Sequence, residues 1–275
     1  MTGRSRIEWT GLTWNPVTGC DRISPGCDHC YALTLARRLK AMGQPRYQAD
    51  GHPATSGPGF AVTCHPEALT QPCRWHTPRL VFVNSMSDLF HARVPDQFIA
   101  DVFAVMAITP QHTYQILTKR PRRMRALLSR PEFPAQVALA IAAGPQWTDA
   151  ITWHIRERWP LPNVWLGASV ETARYLWRAD TLRTVPAAVR FISAEPLLGP
   201  LNDLDLTGIG WLITGGESGP GHRPPDPEWF RALRDHATAS GVPFFFKQWG
   251  GPTPKAGGRI LDGRTWDQMP PRRQS

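Results

Sequence analysis

A chain of 275 residues, 41% of them apolar, can bury a sizeable core, which excludes a wholly disordered protein. Its 31 Lys plus Arg against 22 Asp plus Glu leave a formal charge of +9 and a pI near 9.9, so a polyanionic partner is expected. No window approaches the roughly 18 uninterrupted apolar residues of a membrane span, and the N-terminal MTGRSRIEWTGLTW lacks the apolar core of a secretory signal. The expected compartment is therefore a reducing cytoplasm, where the five cysteines are read as metal ligands or reactive thiols before disulfides.

In chain order, a first short strand is expected near Trp14, followed by a cysteine-bearing loop and a helix over 31–42. Residues 43–79, rich in Pro, Gly and His, read as a long irregular insertion. Six short apolar runs follow, at 80–83, 114–117, 164–166, 191–192, 211–213 and 244–246, each β-branched or aromatic as in strands buried on both faces. Helical spacing of apolar residues appears between several of them, at 96–108, 122–128, 172–185 and 226–239. The stretch 131–162 holds an Ala-rich helix candidate and then a Trp-containing segment, 147–159, of the kind that forms a lid or binding loop or else is disordered. Alternating strand and helix predicts the α/β class, and six or seven parallel strands fit a partial or closed β/α (TIM-type) barrel. The predicted organisation is a single barrel domain over 1–251, with the insertion at about 43–79, and a peripheral C-terminal extension over 252–275.

Each apolar run ends in polar or charged residues. These are Asn84, Ser85, Ser87 and Asp88; Thr118, Lys119 and Arg120; Ser169 and Glu171; Ser193 and Glu195; Gly215, Gly216 and Glu217; then Lys247, Gln248 and Trp249. A β/α barrel gathers such strand ends at one rim, where active sites form. The rim supplies carboxylates but no His apart from the nearby His91, which argues against a zinc hydrolase. Lys119, Arg120, Arg122 and Arg123 open a basic run that reads either as a solvated helix face or as a phosphate-contacting patch for nucleic acid. Trp249 at the rim is a candidate for stacking on bases.

The cysteine loop carries the most chemistry. Cys20, Cys27 and Cys30 fall in the pattern C-x6-C-x2-C, with Cys30 at the start of a helix, where a thiolate is stabilised. Three thiols are one short of a closed zinc site, and they suit an iron–sulfur cluster with one iron left open. Zinc with His29 or His65 as fourth ligand and metal-free thiols are the other readings. Cys64 and Cys73 read as small, partly buried residues, with a second metal site on Cys64, His65, Cys73 and His76 as the alternative.

The segments TWNPVTGC, SPGCDHCYA, FVNSMSDLFH, LTKRPRRM, WLGASVE, FISAEPLLGP, ITGGESGP and FFFKQWG, in this order, resemble the phage-associated three-cysteine family named after phage gene products thirty-seven and sixty-eight. The resemblance covers roughly residues 7–250. That family is similar in turn to radical S-adenosylmethionine (SAM) proteins, among them spore photoproduct lyase, a DNA repair enzyme. The resemblance implies a radical SAM-like barrel and a 4Fe-4S iron–sulfur cluster on Cys20, Cys27 and Cys30. It also implies SAM on the open iron, cleaved on reduction to a 5′-deoxyadenosyl radical that abstracts a hydrogen atom. Two departures stand out: the first cysteine gap is six rather than three, and the Gly-Gly-Glu expected after the second strand is replaced by the Asn84 to Asp88 segment. A Gly-Gly-Glu occurs instead at 215–217, after a later strand.

On this resemblance Ser85 and Asp88 would hold the amino acid end of SAM, and Ser169 and Glu171 its ribose, unless they only cap the next helix. Glu195, Glu217 and Lys247 would act on substrate or handle protons, with an ion pair from Glu195 to Lys119 or Lys247 as the structural alternative. Gly215 and Gly216 would let a ligand approach the backbone or simply form a tight turn. The implied function is an iron–sulfur enzyme of DNA repair or modification. The alternative is a non-catalytic, metal-containing nucleic-acid-binding protein that works with a protein partner in phage biology or defence.

Overall fold

The computed structural model describes residues 5, 7–143, 155 and 157–271. Its elements are strands β1 (Leu12–Trp14), β2 (Val17–Thr18), β3 (Thr63–Cys64), β4 (Leu80–Val83), β5 (Thr113–Thr118), β6 (Val164–Ser169), β7 (Val189–Ala194), β8 (Trp211–Gly215) and β9 (Phe244–Gln248). The helices are α1 (Tyr31–Ala41), α2 (Asp96–Ile108), α3 (Pro121–Leu128), α4 (Phe133–Ala142), α5 (Trp177–Arg183) and α6 (Pro227–Ala239). Seven strands form one sheet in the order β1-β4-β5-β6-β7-β8-β9, and every neighbouring pair is parallel. No pairing joins β9 to β1 among the described residues, so the sheet is a curled partial β/α barrel rather than a closed one.

Strand periodicity assigns the two faces. On one face Phe82, Trp165, Phe191, Trp211, Ile213 and Phe245 pack together with Trp9, filling the concave side. Alternate positions such as Val81, Ile116, Leu166, Ile192, Leu212 and Phe246 point the other way, into the larger core shared with the helices. Trp211 is the hub of the inner cluster, with ring centroids 5.6–6.2 Å from Trp9, Trp165, Phe191 and Phe245. Trp211→Ala is expected to cost about 3–5 kcal/mol through the void it leaves. Urea unfolding followed by circular dichroism checks this as a lower midpoint at unchanged slope.

All seven sheet strands coincide with predicted runs, and most extend one or two residues further. The parallel ladder is made by backbone groups, so it continues through Thr118, Ser169 and Gly215 where the apolar signal has stopped. The helix expected over 172–185 divides into a 3-10 turn, Ala173–Tyr175, and α5. The Ala-rich candidate is α4, whereas most of the segment 147–159 lies outside the described residues. The insertion carries β3, which pairs antiparallel with β2 beside the cysteine loop.

The residues after Gly251 do not hang off the barrel as the expected peripheral extension would. Leu261 is fully buried, Trp266 packs on Phe244, and a bridge pairs Asp267 antiparallel with Phe245. Backbone bonds from Phe246 N to Trp266 O (2.9 Å) and Gln268 N to Phe244 O (3.2 Å) make this segment a cover for the edge of β9. An uncovered parallel edge would offer unpaired N–H and C=O groups to other chains.

Candidate functional site

The carboxyl ends of the sheet strands surround a cavity of about 240 Å³, and Cys20, Cys27 and Cys30 all line it. The loop that carries them is tied down at several points. Gly19 forms a parallel bridge with Ser87. Asp21 accepts hydrogen bonds from Thr55, Ser56, Arg93 and His91, which join the loop to the insertion and to the segment after β4. Burial pushes the Asp21 carboxyl up, but these four donors outweigh it and hold the group well below the usual carboxylate range. Ser24 donates to Glu171, His29 Nδ1 bonds Glu217 at 2.9 Å, and Arg223 donates to Pro25 O at 2.8 Å, so the loop is also pinned to the ends of β6 and β8. Gly26 lies so close to Glu171 that a Cβ there would fall 2.5 Å from the glutamate Cγ.

All three thiols are free. Arg120 Nη1 stands 3.4 Å from Cys20 Sγ, and Ser24 Oγ stands 3.8 Å from Cys27 Sγ. Burial, with Asp88 adding to it, pushes the Cys20 thiol up to about 12, and burial also raises Cys30. Both are therefore neutral thiols at physiological pH until a cation replaces the proton. Among the described residues no group of three or more His, Cys, Asp or Glu side chains is placed to hold a metal ion. His65, one expected fourth zinc ligand, bonds Thr18 Oγ1 at 2.8 Å and is outside the cavity lining. His29, the other, is engaged by Glu217. Three free thiols that line the cavity are the donor type an iron–sulfur cluster takes and are one short of a closed zinc site. The alternative second site is not assembled: Cys64 and Cys73 pack against the outer core, and His76 is exposed.

The carboxylates expected at the strand ends are all present at the cavity or just behind it, and each is already paired. Asp88 accepts from Phe90 N, Thr118 Oγ1, Lys119 N and Arg120 Nη1. Glu171 is fully buried between Lys119 and Arg178. Its burial raises the carboxyl, and the two cations more than offset that and hold it low. Glu217 bonds Arg223 and His29, and Glu195 pairs with Lys247 across the rim, as in the structural alternative weighed above. Ser85 donates to Asn15 Oδ1, and its carbonyl accepts the Tyr31 hydroxyl. Ser169 lines the cavity, and its carbonyl accepts from Arg178. A Cβ at Gly215 would meet only side-chain atoms of Glu195 and Lys247, at 3.4–3.5 Å, whereas Gly216 lies against the Trp249 carbonyl.

The basic run does not present one face. Lys119 and Arg120 turn into the cavity and its carboxylates. Arg123 braces the segment after β4 through Val94 O and Asp96, and Arg122 lies 4.4 Å over the Trp177 ring. Trp249, expected as a stacking platform, packs on Phe230 and Phe246 and donates to Ile260 O. Sequence reasoning passed over Asp21, Arg178 and Arg223. Arg178 had a legible signal: it occupies the apolar side of a helix beside Ala179 and Leu182, and an arginine there needs a buried anion.

Acid stability should follow from Glu217. Burial raises its carboxyl, and the bonds from Arg223 and His29 outweigh this and hold it at about 2. A folded-state value below the unfolded one contributes stability above the ordinary carboxylate range, and that stability is lost as pH falls toward 2. Glu217→Gln is expected to flatten this limb, measured as the thermal midpoint against pH at fixed ionic strength.

The molecule is thus a partial β/α barrel with a cavity at its strand ends, lined by three free thiols and by paired charges. Residues 4–270 match the model of a family described as protein of unknown function (DUF5131), and the chain belongs to that family. No curated protein matches the chain. No solved structure matches it either.

Proposed function

We propose that this chain is an iron–sulfur protein of radical SAM type that acts on nucleic acid in DNA repair or modification, as the resemblance to the phage-associated three-cysteine family implies. Cys20, Cys27 and Cys30 would hold a 4Fe-4S cluster. The observation that carries this reading is that these three thiols, and no other cysteines, line the cavity at the carboxyl end of a parallel partial barrel. When bound, such a cluster supplies one-electron chemistry and an iron open to a ligand. Arg120 and Lys119 place positive charge beside the thiols, which favours their ionised form once the protons leave. Ser85 and Ser169 would orient the small-molecule cofactor. Glu195 and Lys247 form the carboxylate–ammonium pair at the rim with the fewest other partners, and they are the groups best placed to exchange a proton with a substrate.

One observation favours the alternative, a non-catalytic metal-containing nucleic-acid-binding protein. Asp88, expected to hold the SAM ammonium, already accepts from four donors and could take a fifth only by loosening Arg120. The test is iron, acid-labile sulfide and visible absorption on protein purified without oxygen, beside Cys27→Ala, with SAM binding by calorimetry. Equal, near-stoichiometric iron and sulfide, lost in Cys27→Ala, together with SAM binding, is the expected result. Zinc without sulfide would overturn the radical reading and leave the alternative. A cluster that binds no SAM would leave a redox or structural iron–sulfur protein.

A further inference from the structure

Helix α1 buries Ala32, Leu33, Ala36 and Leu39 in a small core of its own, with Tyr47 and Phe60 from the insertion and Met86 from the segment after β4. That core is separate from the one shared by the sheet and the other helices. Its other face is unlike a solvated helix face. Tyr31, Leu35, Arg38 and Met42 follow at spacings of four, three and four, which makes one stripe along the helix. Tyr31, Leu35 and Met42 are 53%, 38% and 60% exposed, and Ile23 of the cysteine loop is 42% exposed. These are four of the six large apolar side chains left exposed among the described residues, so the exposure is concentrated rather than scattered. Ile23 and Tyr31 also line the cavity, so they form its lip. Helix α1 contains no acidic residue, and the exposed Arg37 and Arg38 have no carboxylate partner among the described residues. Nearby cations are neutralised: Lys40 by Asp50, Arg46 by Glu67 and Arg93 by Asp21.

Lys119, Arg120 and Arg123 meet carboxylates. Helix α1 is therefore where free cations and exposed apolar side chains coincide beside the cavity. We propose that this face, with Ile23, binds a single-stranded nucleic acid outside the cavity, its phosphates on Arg37 and Arg38 and its bases against Tyr31 and Leu35. A single strand offers both phosphates and open base faces, which suits cations interleaved with apolar side chains. A duplex hides its base faces in the stack and would meet the arginines alone. A second copy of this +9 chain would set the same arginines against each other. The Tyr31 hydroxyl donates to Ser85 O, which fixes the ring at the lip. This inference rests on the nucleic-acid reading proposed above and names its contact surface, which is separate from the space a small-molecule cofactor would take.

The test is fluorescence anisotropy of a dye-labelled single-stranded oligodeoxynucleotide of about twelve nucleotides, and of the same sequence as a duplex, titrated with the full chain at several salt concentrations. Arg37→Glu with Arg38→Glu should weaken single-strand binding at least about tenfold near 0.1 M salt and flatten the slope of log K against log salt by about 1.4, the value of two single-strand phosphates. The charge-matched control is Arg79→Glu with Arg125→Glu, two exposed arginines away from this face, with an expected loss below about threefold. Tyr31→Ala should weaken binding at least about fivefold, and Tyr31→Phe, which keeps the ring, should not. Excess SAM should leave the strand bound. The thermal midpoint and iron content of each variant show that the fold is intact. Equal losses in the two double variants, displacement by SAM, or tighter binding of the duplex than of the single strand overturns this surface and leaves the nucleic-acid reading standing. Self-association of the chain that Leu35→Glu with Met42→Glu abolishes, without strand binding, would make the face an interface between copies and overturn the proposal. No binding of either nucleic acid by the unaltered chain overturns both this surface and the nucleic-acid reading, whereas strand binding without iron uptake removes the cluster alone.

Discussion

Glu171→Gln is expected to lower the unfolding free energy by about 3–5 kcal/mol, because it strands a buried cation. Arg178 is 1% exposed, and its Nη1 bonds both Glu171 Oε2 at 2.8 Å and Ser169 O at 3.0 Å. A guanidinium cannot shed its charge on burial, so the whole penalty falls on the fold. Arg178→Met should cost less: Glu171 keeps Lys119 and Ser24, and a carboxyl can take up a proton. The double variant Glu171→Leu with Arg178→Met should recover much of the loss, as apolar replacements of buried ion pairs often do. For a chain of this size the single variant should appear as a thermal midpoint lowered by roughly 10 °C. Equal effects of Glu171→Gln and Arg178→Met would show that the pair, rather than the unshielded arginine, sets the cost. The consequence reaches the cavity, since Glu171 also receives Ser24 of the cysteine loop and packs under Gly26.

The second large effect belongs to Gly216→Ala. A Cβ at this position would lie 1.8 Å from the Trp249 carbonyl oxygen and 2.6 Å from its carbon, and both are backbone atoms. Neither side can yield cheaply. Gly216 N donates to Gln248 O at 2.9 Å, Trp249 N donates to Gly258 O at 3.0 Å, and the Trp249 ring is held by Phe230 and Phe246. The ends of β8 and β9 must separate, which puts the cost at or above the upper end of the roughly 1–3 kcal/mol of ordinary overpacking. Those ends carry Glu217 and Lys247 at the cavity, so iron uptake should fall with stability. Gly215→Ala is the control: its Cβ would come no closer than 3.4 Å to the Glu195 side chain, and a change below about 1 kcal/mol is expected. Parallel urea unfolding curves for the two variants check the contrast.

Much of this fold was legible along the chain. Strands β4 to β9 announced themselves as short apolar runs, because a strand buried on both faces needs no polar alternation. The rim followed, since a parallel sheet puts every carboxyl end on one side and hence places Asp88, Lys119, Glu171, Glu195, Glu217 and Lys247 together. The cysteine spacing marked the loop that lines the cavity. The pairings were not legible, because they join residues far apart in sequence: Glu171 with Ser24 and Lys119, Glu217 with His29, and Asp21 with His91. Within the basic run 119–123 the sequence does not show that Lys119, Arg120 and Arg123 meet carboxylates and that Arg122 lies over the Trp177 ring.

By itself, then, the chain determined which segments are strands and helices, that the strands run parallel, and which residues stand at their ends, because these depend on periodicity and local order. Only the tertiary structure decided that the barrel stays open at the β1 and β9 edges, that the segment after Gly251 covers one of them, and that almost every rim charge has a partner. Those outcomes depend on distances between residues that the sequence keeps apart, and a linear pattern carries no such distances.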